Sequence, residues 1–217
     1  MYSPPYNRVE DRRELVAFMR ANSFALLVTA TDGTPLASHL PVTVADGAGG
    51  IVIHSHMAKP NPQWQAFFDD EVLVVFSGPH AYVSPRWYEA TERVPTWNYA
   101  AVHAYGKVRV TADKAVKHAA QRALVAELDP AWLPKFDALR PEYVASMLDG
   151  IVTFDIAVTR LETRWKLSQN RGRREQERIA AELERAPDSA ARALAALTRR
   201  HLVPERGSSS WAPASPA

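Results

Sequence analysis

The chain has 217 residues, of which 47% are hydrophobic and 23% charged, with a net charge of +2 and no cysteine. Such a hydrophobic share suits a globular core, and the lack of cysteine excludes disulfides and thiol chemistry. So small a charge does not by itself indicate nucleic-acid binding, and no apolar run approaches the roughly 20 residues of a membrane span. The N-terminal residues lack the pattern of a secretory signal, so we expect a cytoplasmic protein.

The first predicted elements are one helix and three strands. Asp11 and Glu14 resemble a capping box, which predicts a helix over residues 11–21. Short turns, the first at Asp32-Gly33, separate the apolar or alternating segments that follow. These predict strands over residues 24–30, 36–44 and 51–55, which form an antiparallel meander.

The remaining elements alternate between helices and strands. Asn61-Pro62, Asp113 and Pro141 are typical helix starts. The predicted elements are a short helix 61–68, strands 72–76 and 102–111, helices 114–128 and 141–149, and a long strand 151–167. Six strands with few intervening helices predict an α+β fold built on a small antiparallel barrel, because the βαβ alternation of a doubly wound sheet is missing.

The composition changes near the C-terminal end. We predict one domain over residues 1–173, a helical extension over 174–203 broken at Pro187-Asp188, and a disordered Ser/Pro/Ala tail over 204–217. The extension is a candidate for DNA contact through its arginines. Glutamates interleave with these arginines, however, which favours intrahelical ion pairs and a solvated or dimer-packing role.

The most unusual segment is the run FSGPHAYVSPRWYEATERVPTWNYAAVHAYGK, residues 76–107. It contains two Trp, four Tyr and two His among three prolines. Aromatic rings on proline-stiffened loops are costly to expose, so they normally line a planar ligand or a subunit interface.

Two polar segments are candidates for binding an anion. Ser55, His56, Lys59 and Asn61 place hydroxyl, imidazole, ammonium and amide groups before a helix start, where a phosphate binds favourably. The alternative is an ordinary polar turn with a helix cap. The segment RWKLSQNR, residues 164–171, ends the last strand with similar donors, and its alternative is a solvated strand exit.

The histidines do not predict a metal site. His54 and His56 share a strand face, yet the sequence lacks the nearby carboxylates or cysteines that a metal site usually recruits. A hydrolase nucleophile is also not indicated, because no G-x-S-x-G motif is present. No catalytic residue is assigned.

Several motifs together resemble one family. HLPV, HMAKPNPQW, FSGPHAYVSPRWY, VPTWNYAAVHAYGKV and WKLSQNR occur in order over roughly residues 1–173 and resemble the PaiB family of FMN-binding negative transcriptional regulators. The resemblance implies an FMN-binding split β-barrel, like that of pyridoxamine-phosphate oxidases, with C-terminal helices. It also implies a homodimer with two FMN sites at the subunit interface.

The resemblance further implies roles for named residues. The phosphate would be held by Ser38, His39, Ser55, His56, Lys59 and Asn61. The isoalloxazine ring would be approached, from the partner subunit, by Tyr82, Ser84, Trp97, Lys166 and Gln169. One departure is Lys59-Pro60 in place of Arg-Ala, which keeps the charge but gives up bidentate phosphate recognition.

Two classes of function stay open. One is an FMN-binding repressor, with the flavin as sensor or structural ligand. The other is a flavin-dependent oxidoreductase, or a haem-handling protein of the same fold, in which the cofactor supplies the chemistry. The sequence names neither an operator nor a substrate nor a redox partner.

Overall fold

The computed structural model describes residues 1–67, 71–89 and 92–204. Six strands and six α-helices are assigned there. The strands are β1 Phe24–Thr31, β2 Thr34–Gly47, β3 Gly50–Ala58, β4 Val72–Val83, β5 Thr96–Thr111 and β6 Ile151–Lys166. The helices are α1 Arg12–Ala21, α2 Lys114–Leu128, α3 Leu133–Asp137, α4 Pro141–Asp149, α5 Arg173–Glu184 and α6 Ser189–Arg200. Short 3-10 helices cover Pro5–Asn7, Pro62–Ala66 and Pro85–Trp87.

The six strands close into a barrel in the order β1-β2-β3-β6-β5-β4. The pairings β1–β2, β1–β4, β2–β3 and β3–β6 are antiparallel. The predicted six-stranded antiparallel barrel is therefore confirmed. Closure leaves no free sheet edge, so each strand has neighbours on both sides.

Alternation along the strands separates the barrel interior from its outer face. On β2 the side chains of Leu40, Val42 and Val44 are buried, whereas the residues between them are more exposed. On β3 the same pattern buries Ile51, Ile53, Ser55 and Met57. The interior is packed with aliphatic and aromatic side chains, which include Ala25, Leu27, Leu40, Val42, Val74, Phe154 and Ile156.

The strands of the aromatic run are longer than predicted. Strand β4 continues beyond residue 76 to Val83, through Pro79, which lacks the N–H that strand interiors usually need. Strand β5 begins at Thr96 instead of residue 102. Ala100, Ala101 and Val102 are all buried, so the alternation that would have signalled the strand is interrupted there. Much of the run therefore lies in the sheet, and the prediction that it is mostly loop was wrong.

Two helix starts follow the predicted capping. The side chains of Asp11 and Asp113 accept hydrogen bonds from backbone N–H groups of the first turn. Asp188, predicted only as part of a break, caps α6 in the same way. Asn61 caps a 3-10 helix that ends at Ala66, and residue 68, where the predicted helix ended, lies outside the described residues. The sequence did not predict α3, a single turn without a side-chain cap.

The chain divides into two compact units. The first contains Met1, Val9–Ser77 and Ala101–Thr163; the second contains Tyr2–Arg8, Gly78–Ala100 and the chain from Arg164 onward. In the second unit α5 packs against α6 through apolar side chains that include Ile179, Leu183 and Leu194. The predicted tail lies outside the described residues from 205 onward. Within the described part of the chain, no helix has the length and apolar character to span a membrane.

Gly106 marks a close approach of β5 to β6. A Cβ atom there would lie 2.5 Å from the carbonyl oxygen of Ala157 and 2.7 Å from Cγ2 of Ile156. We expect Gly106→Ala to lower the free energy of unfolding by about 1–3 kcal/mol, the usual cost of overpacking. Urea denaturation measures the change. Gly49→Ala is the control, because its Cβ would meet nothing within 4 Å, and equal unfolding midpoints for the two variants would contradict the prediction.

Candidate functional site

In the first unit, the turn after β3 is organised by Asn61. Its Oδ1 accepts a hydrogen bond from Gln63 N at 3.0 Å, and its Nδ2 donates to Ser38 Oγ at 3.0 Å. The structure thus brings Asn61 and Ser38 together, as the predicted phosphate group requires. The Asn61 side chain is already used at both ends, so its main role is to hold the turn and the Ser38 hydroxyl in place.

Lys59 is the exposed cation of this turn. Its backbone N–H donates to Gly150 O at 2.9 Å, which fixes the turn to the end of α4. Lys59, Lys114 and Lys117 all lower the pKa of the Asp149 carboxyl electrostatically, after the larger effect of its hydrogen bond from Lys114. Lys114 Nζ donates to Asp149 Oδ2 at 3.0 Å, and Lys117 Nζ donates to Leu148 O and Ile151 O at 3.0 and 2.8 Å. Together with Lys59 they give this end of α4 an excess of positive charge, which favours an anion such as phosphate. The sequence did not predict that Lys114 and Lys117, which are distant in the chain, lie beside Asp149.

The outer face of β3 carries two histidines. His54 Nδ1 lies 2.6 Å from Asp155 Oδ1, and the two residues are register partners on β3 and β6. His56 is half-buried on the same face, and burial lowers its pKa below the ordinary value of 6.5. A small recess beside them is lined by Pro41, Thr43, His54, Ser55, His56, Ala120, Gln121 and Leu124. It has room for about one water molecule, too little for a flavin ring.

The side chains of Ser55 and His39 have partners of their own. Ser55 is buried and donates to Pro41 O at 2.8 Å, and its side chain belongs to the interior set of β3. His39 is exposed on β2, where its ring stacks on Phe24 with centroids 5.7 Å apart. Adjacent strand residues point to opposite faces, so Ser38 and His39 cannot both turn toward one phosphate from the middle of a strand. The same argument separates Ser55 from His56.

In the second unit, three rings from the aromatic run meet at the surface. The Trp97 ring centroid lies 6.4 Å from that of Tyr82 in an edge-on arrangement and 6.0 Å from that of His80. Trp97 is 55% exposed and Tyr82 is 47% exposed. Rings of this size are rarely left in water without a partner. This cluster is the part of the second unit best suited to contact a planar ligand.

Ser84 is placed differently from the rings. It is buried, and its hydroxyl accepts hydrogen bonds from Arg86 N and Arg86 Nε, both at 3.3 Å. Ser84 therefore caps the 3-10 helix that follows β4 and shapes the loop behind the aromatic cluster.

Lys166 is the last residue of β6 and a cation of the strand exit. Lys166 Nζ donates to Thr96 Oγ1, and its pKa is lowered by burial and by the charge of Arg164. Both ends of the Gln169 side-chain amide bond the backbone of the same segment. Its Oε1 accepts from Leu167 N at 2.7 Å, and its Nε2 donates to Trp165 O. Lys166 is available to a ligand as a cation, whereas Gln169 holds the shape of the exit turn.

Asn98 is a residue of this region that the sequence did not single out. It is fully buried, and its Nδ2 donates to Ser168 Oγ at 2.9 Å. Ser168 has φ of 63°, a left-handed conformation that is unusual for residues other than glycine. The only sequence signal was its position between the aromatic residues Trp97 and Tyr99.

Each unit offers groups whose chemistry suits one part of FMN. In the first unit these are the Lys59 ammonium and the Ser38 hydroxyl, which suit a phosphate. In the second unit these are the exposed rings and Lys166, which suit a planar ring. Ser55, Ser84 and Gln169 are committed to the protein's own hydrogen bonds. Among the described residues, no group of three or more His, Cys, Asp or Glu side chains is arranged to hold a metal ion.

The comparisons with known proteins agree on one family. A family model described as "Putative FMN-binding domain" matches residues 1–160. The chain is 36% identical over 210 residues to "Protease synthase and sporulation protein PAI 2" of Bacillus subtilis, a match that covers 91% of this chain and 96% of that protein.

Solved structures with similar folds are more distant in sequence. The flavocytochrome Anf3 of Azotobacter vinelandii aligns with a TM-score of 0.59 at 16% identity, over 75% of this chain and 74% of that one. A FAD and haem binding protein of Mycobacterium smegmatis aligns with a TM-score of 0.58 at 15% identity, over 73% and 72% of the two chains. These likenesses confirm the barrel fold.

The buried imidazole of His56 predicts a pH dependence of stability. Burial favours its neutral form, whereas the unfolded chain takes up a proton near pH 6.5, so the folded state loses stability as the pH falls through that value. We expect His56→Gln to flatten the fall in the free energy of unfolding between about pH 7 and pH 5.

Urea denaturation across this pH range measures the slope, which one proton limits to about 1.4 kcal/mol per pH unit. Burial also lowers the pKa of His103, so the variant with both histidines replaced is expected to show the flattest profile. A His56→Gln profile identical to that of the wild type would contradict the prediction.

Proposed function

This chain belongs to the PaiB family of FMN-binding proteins, and from that premise we propose that it is a homodimeric negative regulator of transcription. The family membership confirms FMN as the cofactor predicted from the sequence. Bound FMN can exchange one or two electrons, so it can serve as a sensor as well as a structural ligand. The observation that carries the proposal is the family match over most of the chain.

We propose that first-unit residues of one protomer hold the phosphate and that residues of the partner subunit approach the ring. Lys59 supplies the charge for the phosphate, and Ser38, positioned by Asn61, supplies a hydroxyl. His56 borders the same turn. Tyr82, Trp97 and Lys166 contact the ring. His39, Ser55, Ser84 and Gln169 are assigned supporting roles, because their side chains already have protein partners.

The homodimer is supported by large exposed side chains that lie together in the second unit. Trp97 is 55% exposed and Tyr82 is 47% exposed, with ring centroids 6.4 Å apart. Large apolar side chains in one region of a surface indicate an interface. The predicted domain limits, residues 1–173, 174–203 and 204–217, and a location in the cytoplasm remain part of the proposal.

The C-terminal helices are the candidate for direct DNA binding. Over residues 173–200, four of the seven arginines are paired with glutamates: Arg173 with Glu177, Arg178 with Glu89, Arg185 with Glu182, and Arg199 with Glu184. Paired guanidinium groups contribute less to a phosphate-binding face. Arg200, in the last turn of α6, is exposed and has no ion pair among the described residues. It is the natural first contact for a DNA backbone.

The phosphate assignment is tested by Lys59→Ala. Loss of one charged hydrogen bond to the phosphate is expected to weaken FMN binding by about 1–3 kcal/mol. Titration of the apoprotein with FMN, followed by flavin fluorescence, measures the affinity. Lys107→Ala, which removes an exposed lysine of β5, serves as the charge-matched control. Equal affinities for Lys59→Ala and the wild type would remove Lys59 from the phosphate site.

The regulatory role is tested by selection of short random DNA duplexes on the purified FMN-loaded protein. We expect one sequence to be enriched and its binding to weaken steeply with salt, because phosphate contacts release counterions. Arg200→Ala should weaken binding more than Arg199→Ala, whose arginine is already held by Glu184.

Failure to enrich any sequence, with and without FMN, would contradict direct repression. Bleaching of the bound flavin by NADH or NADPH under anaerobic conditions would instead favour the alternative, a flavin-dependent oxidoreductase. The exposed His80–Tyr82–Trp97 cluster is the surface at which such a reductant would reach the ring.

A further inference from the structure

The backbone leaves the sheet at the end of β6 while it is still inside the protein. Leu167 comes directly after the last residue of β6 and is fully buried. A peptide group that leaves a sheet ladder inside the protein needs new hydrogen-bond partners, because an unsatisfied buried N–H or carbonyl is costly. Both partners are glutamine side chains. The Leu167 N–H donates to Gln169 Oε1, and the Leu167 carbonyl accepts from Gln176 Nε2 at 2.9 Å.

Gln176 lies in α5, outside the motif that carries the exit turn. Its side chain is 0% exposed, an uncommon position for a glutamine. Its Oε1 accepts a hydrogen bond from Val203 N at 2.8 Å, so both ends of the amide are used and its orientation is set. A leucine would fill the same space without the cost of burying an amide. The polar side chain is therefore explained by the two backbone groups that it satisfies.

The same helix also contacts the loop behind the aromatic cluster. Glu175 Oε1 accepts from Glu89 N at 3.2 Å, and Arg178 Nη1 lies 3.5 Å from Glu89 Oε1. Glu89 follows the 3-10 helix that Ser84 caps. One helix thus holds two segments of the second unit: the exit turn with Lys166, and the loop that follows Tyr82.

We propose that α5 is a positioning element of the cofactor site and that Gln176 is its positioning residue. The helix sets the conformation of residues 166–169 and their distance from the loop after β4, and so sets where Lys166 and the rings meet a flavin. The inference rests on the proposed ring site. It assigns the C-terminal helices a role in cofactor binding in addition to any contact with DNA.

The test compares Gln176→Leu with Thr198→Val. Thr198 is equally buried in α6, but its hydroxyl donates only to Leu194 O of its own helix, so it is a matched polar-to-apolar control away from the turn. We expect Gln176→Leu to raise the Kd for FMN about tenfold and to alter the visible circular dichroism of the bound flavin. Thr198→Val should change neither, even where its melting temperature falls as much.

Hydrogen exchange of the apoprotein gives a readout that does not depend on flavin. We expect the amides of residues 167–170 to exchange faster in Gln176→Leu than in Thr198→Val. The surface variant Glu175→Ala, which leaves the buried glutamine in place, is expected to raise the Kd for FMN about twofold by freeing the loop at Glu89.

The outcomes separate the two proposals. If the wild type binds FMN and Gln176→Leu binds it with the same affinity and dichroism, the inference is overturned while the cofactor site stands. If exchange at the turn is unchanged, the inference is also overturned. If the wild type binds FMN but Lys166→Ala, Tyr82→Ala and Trp97→Ala all bind it normally, the ring site itself is wrong.

Discussion

Closure of the barrel is the constraint on which the other features depend. Once six strands have neighbours on both sides, each side chain is committed to the interior or to the outer face, and a shift of one residue would exchange the two sets. Ser55 and His56 are neighbours in the sequence, yet the Ser55 side chain is buried and donates to Pro41 O, whereas the His56 ring is half-buried on the opposite face of β3. The polar segment forms one cluster in the sequence, but the sheet directs its side chains to two faces.

A second constraint follows where the chain leaves the sheet. The ladder satisfies backbone groups up to Lys166, and beyond it the side chains of Gln169 and Gln176 satisfy the N–H and the carbonyl of Leu167. A buried polar group left without such a partner is costly, which makes this region sensitive to substitution. Binding sites are often built in this way, with an irregular segment held by a regular scaffold.

Local features could be predicted from the sequence because their causes are local. Asp11 and Asp113 cap helices as their positions indicate, and the Asp32-Gly33 turn joins β1 to β2 with positive φ at both residues. The family and its cofactor could also be predicted, because the motifs that the chain shares with the family are long.

Contacts between distant residues could not be predicted, because they depend on strand register and helix packing. His54 meets Asp155 across 101 positions of sequence, and only the β3–β6 register aligns them. Gln176 could not be singled out from the sequence, because nothing there distinguishes it from the other polar residues of its helix. The start of β5 was missed for a different reason: three successive buried residues conceal the alternation by which a strand is recognised.

The hydrogen bond from Val203 to Gln176 has a practical consequence for work on this protein. Residues beyond α6 return to α5, so position 203 belongs to the packed structure and is not a free end. A truncation placed just after α6 would remove the donor for Gln176 Oε1 and disturb the exit turn by way of a side chain 27 positions earlier. Because the chain has no cysteine, a Pro204→Cys variant can be labelled at that position alone, which places a fluorophore one residue from that bond.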